Sequence, residues 1–323
     1  MLRLNRQLLA HSRSLIALAV LACALSLLSD KFFTQENGLN ILRQISVNLC
    51  LSIGMTLVIL AGGIDLSVGA VLALAGAVAA GLLKNGLDLP PLDVQLQFTV
   101  FGAIVAGLAV GAAAGGFNGV MITRFGLPPF VATLGMLSIA RGLTMLWTGG
   151  FPITSLGPQF GFLGTGNFLG VPMPVWIAGG LVAVFVVVTR KTRFGRYIYA
   201  VGGNERAALL SGLPVNRIKL SVYALGGLLS AVAGLIVTAR LDSAQPNAGL
   251  GYELDSIAAV VIGGASLSGG RGSVLGTVLG CLIIGMLNNG LFLLDVSPFW
   301  QQVAKGFVIL VAVAIDKAST RGN

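Results

Sequence analysis

The stretch TRKTRFGRYIYAVGGNERAALLSGLPVNRIK, Thr189–Lys219, holds seven of the chain's twenty Lys and Arg residues (Arg190, Lys191, Arg193, Arg196, Arg206, Arg217 and Lys219). The segments on either side are almost continuously apolar. It is the largest hydrated stretch of a 323-residue sequence that is 55% hydrophobic and 10% charged, with a mean hydropathy of +0.92. A soluble domain carries about 25% charged residues. The composition is that of a polytopic membrane protein, with 189–219 outside the hydrocarbon.

A spanning helix needs roughly 20 apolar residues, because the hydrocarbon is about 30 Å thick and an α-helix rises about 1.5 Å per residue. Outward from the basic stretch, ten such runs are read: Leu15 to Leu28, then about 41–61, 64–83, 97–122, 128–147, 172–189, 219–239, 254–268, 273–293 and 298–315. Arg3, Arg6 and Arg13 before the first run resemble the start of a signal peptide. No small-x-small cleavage site follows at Ser29–Phe33, so the first run is read as an uncleaved span. With both termini inside, fourteen of the twenty basic residues are cytoplasmic: Arg3, Arg6, Arg13, Arg124, the seven of the central stretch, Arg271, Lys317 and Arg321. Lys31, Arg43, Lys84 and Arg240 fall outside. Arg141 and Lys305 fall within spans near their outer ends, where they snorkel outward or pair with acids such as Asp295. The expected fold is all-α, with about ten transmembrane helices and both termini cytoplasmic.

Several chemistries are missing. The net charge of +9 does not indicate a nucleic-acid partner, because the basic residues sit in short loops where orientation accounts for them. Cys23, Cys50 and Cys281 each lie alone in an apolar run, so neither a disulfide nor a metal site is expected. The single histidine, His11, excludes an H-E-x-x-H zinc site. No lysine follows a glycine, which excludes a phosphate-cradling P-loop. No carboxylate is read at a span's midplane, so proton coupling lacks its usual carrier. Asp65, at the start of the third span, suits a cap on free backbone amides better than a catalytic acid, since no partner for catalysis stands near it. No catalytic residue and no cofactor are expected.

Small and polar residues are patterned within the spans. Ala103, Gly107, Gly111, Gly115 and Gly119 form one helical face, and Gly272, Gly276 and Gly280 repeat the spacing; such faces serve packing within the subunit, a subunit interface or a narrow path. The pattern G-G-x-x-L-S-x-G occurs at Gly62–Gly69 and at Gly263–Gly270, from an internal duplication or from two similar turns. Gln44, Asn48, Asn118, Thr133, Asn288, Asn289, Gln301 and Gln302 are polar but uncharged. Asn48, Asn118, Asn288 and Asn289 are the candidates for a translocation path for a neutral, hydroxyl-rich solute, and interhelical hydrogen bonding explains each of them equally well.

Four stretches, GMTLVILAGGIDLSVG (54–69), RFGRYIYAVGGNE (193–205), SAQPNAGLGYELDSIAAVVIGG (243–264) and LNNGL (287–291), resemble the permease subunits of bacterial ABC importers for monosaccharides, most closely the ribose type. The resemblance covers roughly Phe32 to Asp316. It implies a single transmembrane permease domain over 1–323 in the bacterial inner membrane, forming a homodimeric channel. The implied partners are an ATP-hydrolysing subunit inside and a periplasmic sugar-binding protein outside. It further implies that 189–219 is a cytoplasmic loop with a coupling helix at about Asn204–Leu213. There Glu205-Arg206-Ala207-Ala208 followed by Gly212 looks like the family's E-A-A motif, with Gly203 and Asn204 leading in and Arg206 in place of a small residue. The residues agree with that placement: Ala207, Ala208, Leu209 and Leu210 favour helix, Asn204 can cap its start, and Gly212 with Pro214 would end it. A stand-alone secondary transporter or facilitator is the alternative that the uncharged polar residues leave open.

Overall fold

The computed structural model describes residues 2–89, 94–297, 299–307 and 310. Twelve helices follow one another among them: α1 (Leu2–Leu28), α2 (Gln35–Leu60), α3 (Val68–Asn85), α4 (Val100–Arg124), α5 (Pro129–Thr148), α6 (Pro158–Thr165), α7 (Met173–Lys191), α8 (Arg193–Gly203), α9 (Glu205–Leu210), α10 (Val215–Leu241), α11 (Tyr252–Ile262) and α12 (Val274–Leu293). Residues 299–307 are helical as well. Side-chain oxygens start several of them: Thr34 accepts from the Asn37 amide, Thr99 from Gly102 and Ser273 from Gly276. Each satisfies a donor that a helix end would otherwise leave bare. Three short antiparallel ribbons join the loops, pairing Leu87–Leu89 with Val94–Leu96, Ile153–Thr154 with Ser243–Ala244, and Asn167–Phe168 with Val171–Pro172.

Among the described residues, seven helices are long and apolar enough to cross a membrane: α2, α3, α4, α5, α7, α10 and α12. They coincide with seven of the ten expected spans. The apolar part of α1 is the shorter Leu15–Leu28. Helix α11 has 11 residues, or about 16 Å, half the hydrocarbon thickness. It stops short of the expected 254–268 because Gly264 takes φ 89° and the chain reverses, with the Gly264 amide bonded to the Val261 carbonyl (2.9 Å) and that of Ala265 to Val260 (3.1 Å). The expected span 298–315 is described only in part, at 299–307 and 310, and Lys317 and Arg321 lie outside the described residues.

Helix α2 is the axis of the bundle. Nearly all of 45–60 is buried, with α7, α10, α11 and α12 packed around it. Helices α4, α5 and α7 lie at the periphery and expose apolar side chains such as Phe101, Phe117, Ile139 and Val184, a surface suited to lipid. The glycine face of α4 is spent inside the chain, against α10. A Cβ on Gly111 would meet Gly227 and Ala231, one on Gly115 would strike the Tyr223 carbonyl, and one on Gly119 would lie 2.8 Å from the Leu220 Cα. Gly276 and Gly280 of α12 meet the carbonyls of Gly263 and Ala259 in the same way. Gly116, one residue round the α4 helix, has nothing within 4 Å.

This asymmetry is testable. Gly115→Leu must push two backbones apart and should cost about 1–3 kcal/mol or more, lowering the thermal midpoint of the detergent-solubilised protein by several degrees. Gly116→Leu should leave the midpoint unchanged. Equal midpoints for the two variants would contradict the α4–α10 packing.

Candidate functional site

The basic stretch folds into two short helices rather than a loop with one. Thr192 caps α8 by accepting from the Gly195 amide at 3.2 Å, Gly195, Ile198 and Val201 are buried, and Arg193 and Arg196 face outward. The signal for this helix is Phe194, Ile198 and Val201 at helical spacing, interleaved with the charges that mark the stretch as watered. At its end Asn204 turns the chain and caps α9, its Oδ1 accepting from the Ala207 amide at 3.0 Å. Gly212, at φ 79°, closes α9: its amide bonds the Leu209 carbonyl (3.0 Å) and the Leu213 amide that of Ala208 (3.1 Å).

The candidate coupling residues Gly203, Asn204, Glu205, Arg206, Ala207, Ala208 and Gly212 therefore form one projecting knob. Only Ala208 of these is buried. Leu209 and Leu210, which the sequence signals merely as helix formers, are its exposed apolar tip, Leu210 being 88% exposed. Glu205 pairs with Lys219 of α10 at 2.7 Å. With Glu205 about half exposed, the pair is screened by solvent and contributes at most about 1 kcal/mol. It ties the knob to the start of α10.

Behind the knob, three chain segments meet backbone to backbone. The Gly270 amide donates to the Leu60 carbonyl at 3.0 Å. A Cβ on Gly202 would strike that same carbonyl, one on Gly269 would lie 2.7 Å from the Gly202 oxygen and 2.9 Å from the Gly62 Cα, and one on Gly270 would lie 2.7 Å from the Gly203 Cα. The Tyr199 hydroxyl donates to the Gly272 carbonyl at 2.9 Å. The two G-G-x-x-L-S-x-G stretches thus face one another across the end of α8. Each begins with the same helix-stop geometry, but out of register: Gly62 (φ 82°) is the first glycine of its copy, and Gly264 (φ 89°) the second of the other. The two turns share chemistry rather than alignment.

Just inside this junction, Asp65 is 1% exposed; its Oδ1 accepts from the Ser67 amide (2.8 Å) and hydroxyl (2.6 Å), and Asn118 donates to the Ser67 hydroxyl (3.0 Å). Burial raises the Asp65 carboxyl above its ordinary range, and the two bonds from Ser67 act in the opposite direction.

A second feature lies at the other end of the bundle. A cavity of about 280 Å³ is walled by α2 (Gln44, Asn48), α10 (Val237, Arg240), α11 (Tyr252, Asp255), α12 (Asn288) and the 299–307 helix (Lys305). Lys305 pairs across its wall with Asp255 at 2.9 Å, so the partner of that in-span cation is Asp255 and not Asp295. Arg141, the other in-span cation, donates to the carbonyls of Pro246 (2.6 Å) and Ala248 (2.9 Å). The four candidate path asparagines separate. Asn48 and Asn288 line the cavity. Asn118 sits in the Asp65 cluster, and Asn289 exchanges two amide hydrogen bonds with Asn37, at 3.0 and 2.8 Å.

Comparison with known proteins adds to the geometry. Residues 37–313 match the family described as branched-chain amino acid transport system / permease component. The chain is 51% identical to the ribose import permease protein of Escherichia coli over 312 residues, covering 95% of this chain and 94% of that protein. It is 51% identical to the ribose import permease protein of Bacillus subtilis, covering 94% and 91%. A probable ABC transporter permease protein of Escherichia coli is 41% identical, covering 93% and 87%.

The Asp65 cluster makes a prediction with a definite sign. A carboxyl whose pKa is raised by burial weakens the fold above its unfolded pKa, where it is charged, and that penalty is relieved as pH falls through the folded value. Asp65→Asn keeps an acceptor for Ser67 and removes the charge. Its thermal midpoint should exceed the wild type's at pH 8, and the advantage should shrink as pH falls toward the carboxylate range. A midpoint below the wild type's at every pH would contradict the burial argument.

Proposed function

Because the chain belongs to the branched-chain amino acid transport system / permease component family, we propose that it is the membrane-spanning subunit of an ATP-binding cassette importer for ribose or a similar monosaccharide. The observation that carries the reading is 51% identity to ribose import permeases over nearly the whole of both chains. The seven apolar helices fit a multi-pass protein of the inner membrane. A stand-alone secondary transporter is not favoured by these relatives. In the proposed arrangement the whole chain is one permease domain of about ten spans, with both termini and 189–219 in the cytoplasm, and it pairs with a second copy of itself. A separate ATPase subunit supplies the energy and a periplasmic sugar-binding protein delivers the solute; the permease contributes no nucleotide site of its own.

The proposed coupling element is α9. A short helix with an apolar, exposed Leu209–Leu210 tip and Glu205 and Arg206 at its base suits insertion into a cleft of a partner. The glycine junction supports a route for the push: any displacement of α9 acts through Gly202 and Gly203 on the end of α2 and on the α11–α12 turn, which they touch without intervening side chains. Close-packed contacts of that kind transmit displacement and have little room to absorb it.

Sugar uptake and ATPase stimulation, measured on the permease reconstituted with its ATPase and binding protein, test this reading. Insertion of residues at Gly203, or replacement of Glu205, should abolish uptake and uncouple ATPase stimulation from the solute while the protein still inserts. Leu210→Asp should weaken ATPase association at least tenfold. Normal uptake in the insertion variant would overturn the assignment of α9, and uptake by the wild-type permease alone would return the secondary-transporter reading.

A further inference from the structure

The basic end of α7 carries charges that the coupling element does not use. Trp176, Gly180, Val184 and Val187 lie along one side of this peripheral helix at helical spacing, all exposed or half-exposed, opposite the buried Ala178, Phe185 and Thr189. That side is part of the surface suited to lipid. Arg190 follows Val187 by three residues and Lys191 by four, so both cations stand on the lipid-facing side, and both are exposed. Trp176 opens the stripe and Lys191 closes it, about 22 Å along the axis. An aromatic ring at one end and cations at the other mark the two borders of the hydrocarbon.

Helix α8 adds to the same edge. Arg193 and Arg196 stand opposite its buried Gly195, Ile198 and Val201, and the Arg196 guanidinium reaches back to the Lys191 carbonyl at 3.5 Å. Four exposed cations therefore gather within residues 190–196. No Asp or Glu occurs from Pro172 to Asn204. Among the described residues none of the four enters an ion pair, and the next acid in the chain, Glu205, is held by Lys219 at 2.7 Å. Like charges this close repel one another. The preference of basic residues for the cytoplasm explains their side of the membrane. It does not explain their crowding, without a counter-charge, at the edge of a lipid-facing stripe.

We propose that Arg190, Lys191, Arg193 and Arg196 form a binding site for the headgroup of an anionic phospholipid, whose phosphate accepts hydrogen bonds from them and whose acyl chains lie along Val187 and Val184. A guanidinium suits a phosphate because two of its N–H donors match two oxygens. In the proposed topology the lipid belongs to the cytoplasmic leaflet; only the choice of leaflet rests on that reading. Bound there, it braces α8 on the side opposite its buried face, and α8 ends at Gly202 and Gly203 in the glycine junction.

The full-length permease alone, in detergent, tests the site. Phosphatidylglycerol added to the micelles should raise the thermal midpoint of the wild type well beyond phosphatidylcholine with the same acyl chains, and high salt should diminish the difference. Two variants that lose equal charge locate the effect. Arg190→Gln/Lys191→Gln should raise the phosphatidylglycerol concentration giving half the shift by about tenfold or more. Arg206→Gln/Arg217→Gln, on and beside the α9 knob, should leave that concentration unchanged. Charges beside a span also orient it, so should the first variant fail to insert, Arg193→Gln/Arg196→Gln, beyond the span, replaces it with the same expectation. Equal shifts with the two lipids, an unchanged half-saturating concentration in the patch variant, or the same loss in both variants overturns the site. Inorganic phosphate should give no shift, and a shift equal to that of phosphatidylglycerol overturns the lipid as ligand. A patch variant that keeps its lipid response and loses ATPase association assigns the cations to the ATPase and overturns the site as well. No sugar and no partner protein enters the lipid measurement, so it stands or falls apart from the importer reading.

Discussion

Helices in hydrocarbon gain nothing by hiding apolar side chains from one another, because the lipid is as apolar as a leucine. What holds them is the contact that remains when backbones come close enough for carbonyls and Cα atoms to touch. This chain uses that contact within its bundle, at α4 and α3 against α10 and at α11 against α12, and again at its edge, where Gly62, Gly202, Gly269 and Gly270 meet. At these places a single methyl group has nowhere to go, so the paired helices behave as units.

Much of this was legible in the residues. The seven long spans follow from runs of apolar residues whose length the bilayer dictates, and the limits of α9 from Asn204, Gly212 and Pro214, each of which has one natural role at a helix end. Two elements were less legible for opposite reasons. Helix α8 carries Arg193 and Arg196 on its watered face, and they hide the apolar spacing of Phe194, Ile198 and Val201. Helix α11 stops at Gly263-Gly264 although apolar character runs on, since hydropathy does not register a change in the sign of φ.

The site was readable in kind and not in place. Helix periodicity turns Asn288 and Asn289 about 100° apart, so they cannot share an environment. Which of the two meets Asn37 and which meets the cavity depends on how α12 is rotated against α2, where Ile45 lies against Gly285. The partner of Lys305 has the same origin. Asp295 is nearer in sequence, but Asp255 is brought to it by the fold of α11.

The junction and the cavity are far apart, yet they are built on the same elements. Helix α2 ends at Leu60, whose carbonyl holds Gly270, and twelve residues earlier, about 18 Å along a stiff rod, it presents Asn48 to the cavity. Helix α12 does the same from Gly276, beside the turn, to Asn288, and α11 carries Asp255 at one end and Gly263 at the other. In the proposed arrangement, a wedge moved at the junction would displace three of the cavity's walls at once. Two of those walls carry Asn48 and Asn288, and the third carries one half of the Asp255–Lys305 pair. That pair joins α11 to the 299–307 helix, so it resists any motion that separates the two. In the proposed arrangement, force entering at α9 would reach a polar space through rigid helices, with the ion pair as the bond best placed to open or hold as the walls part.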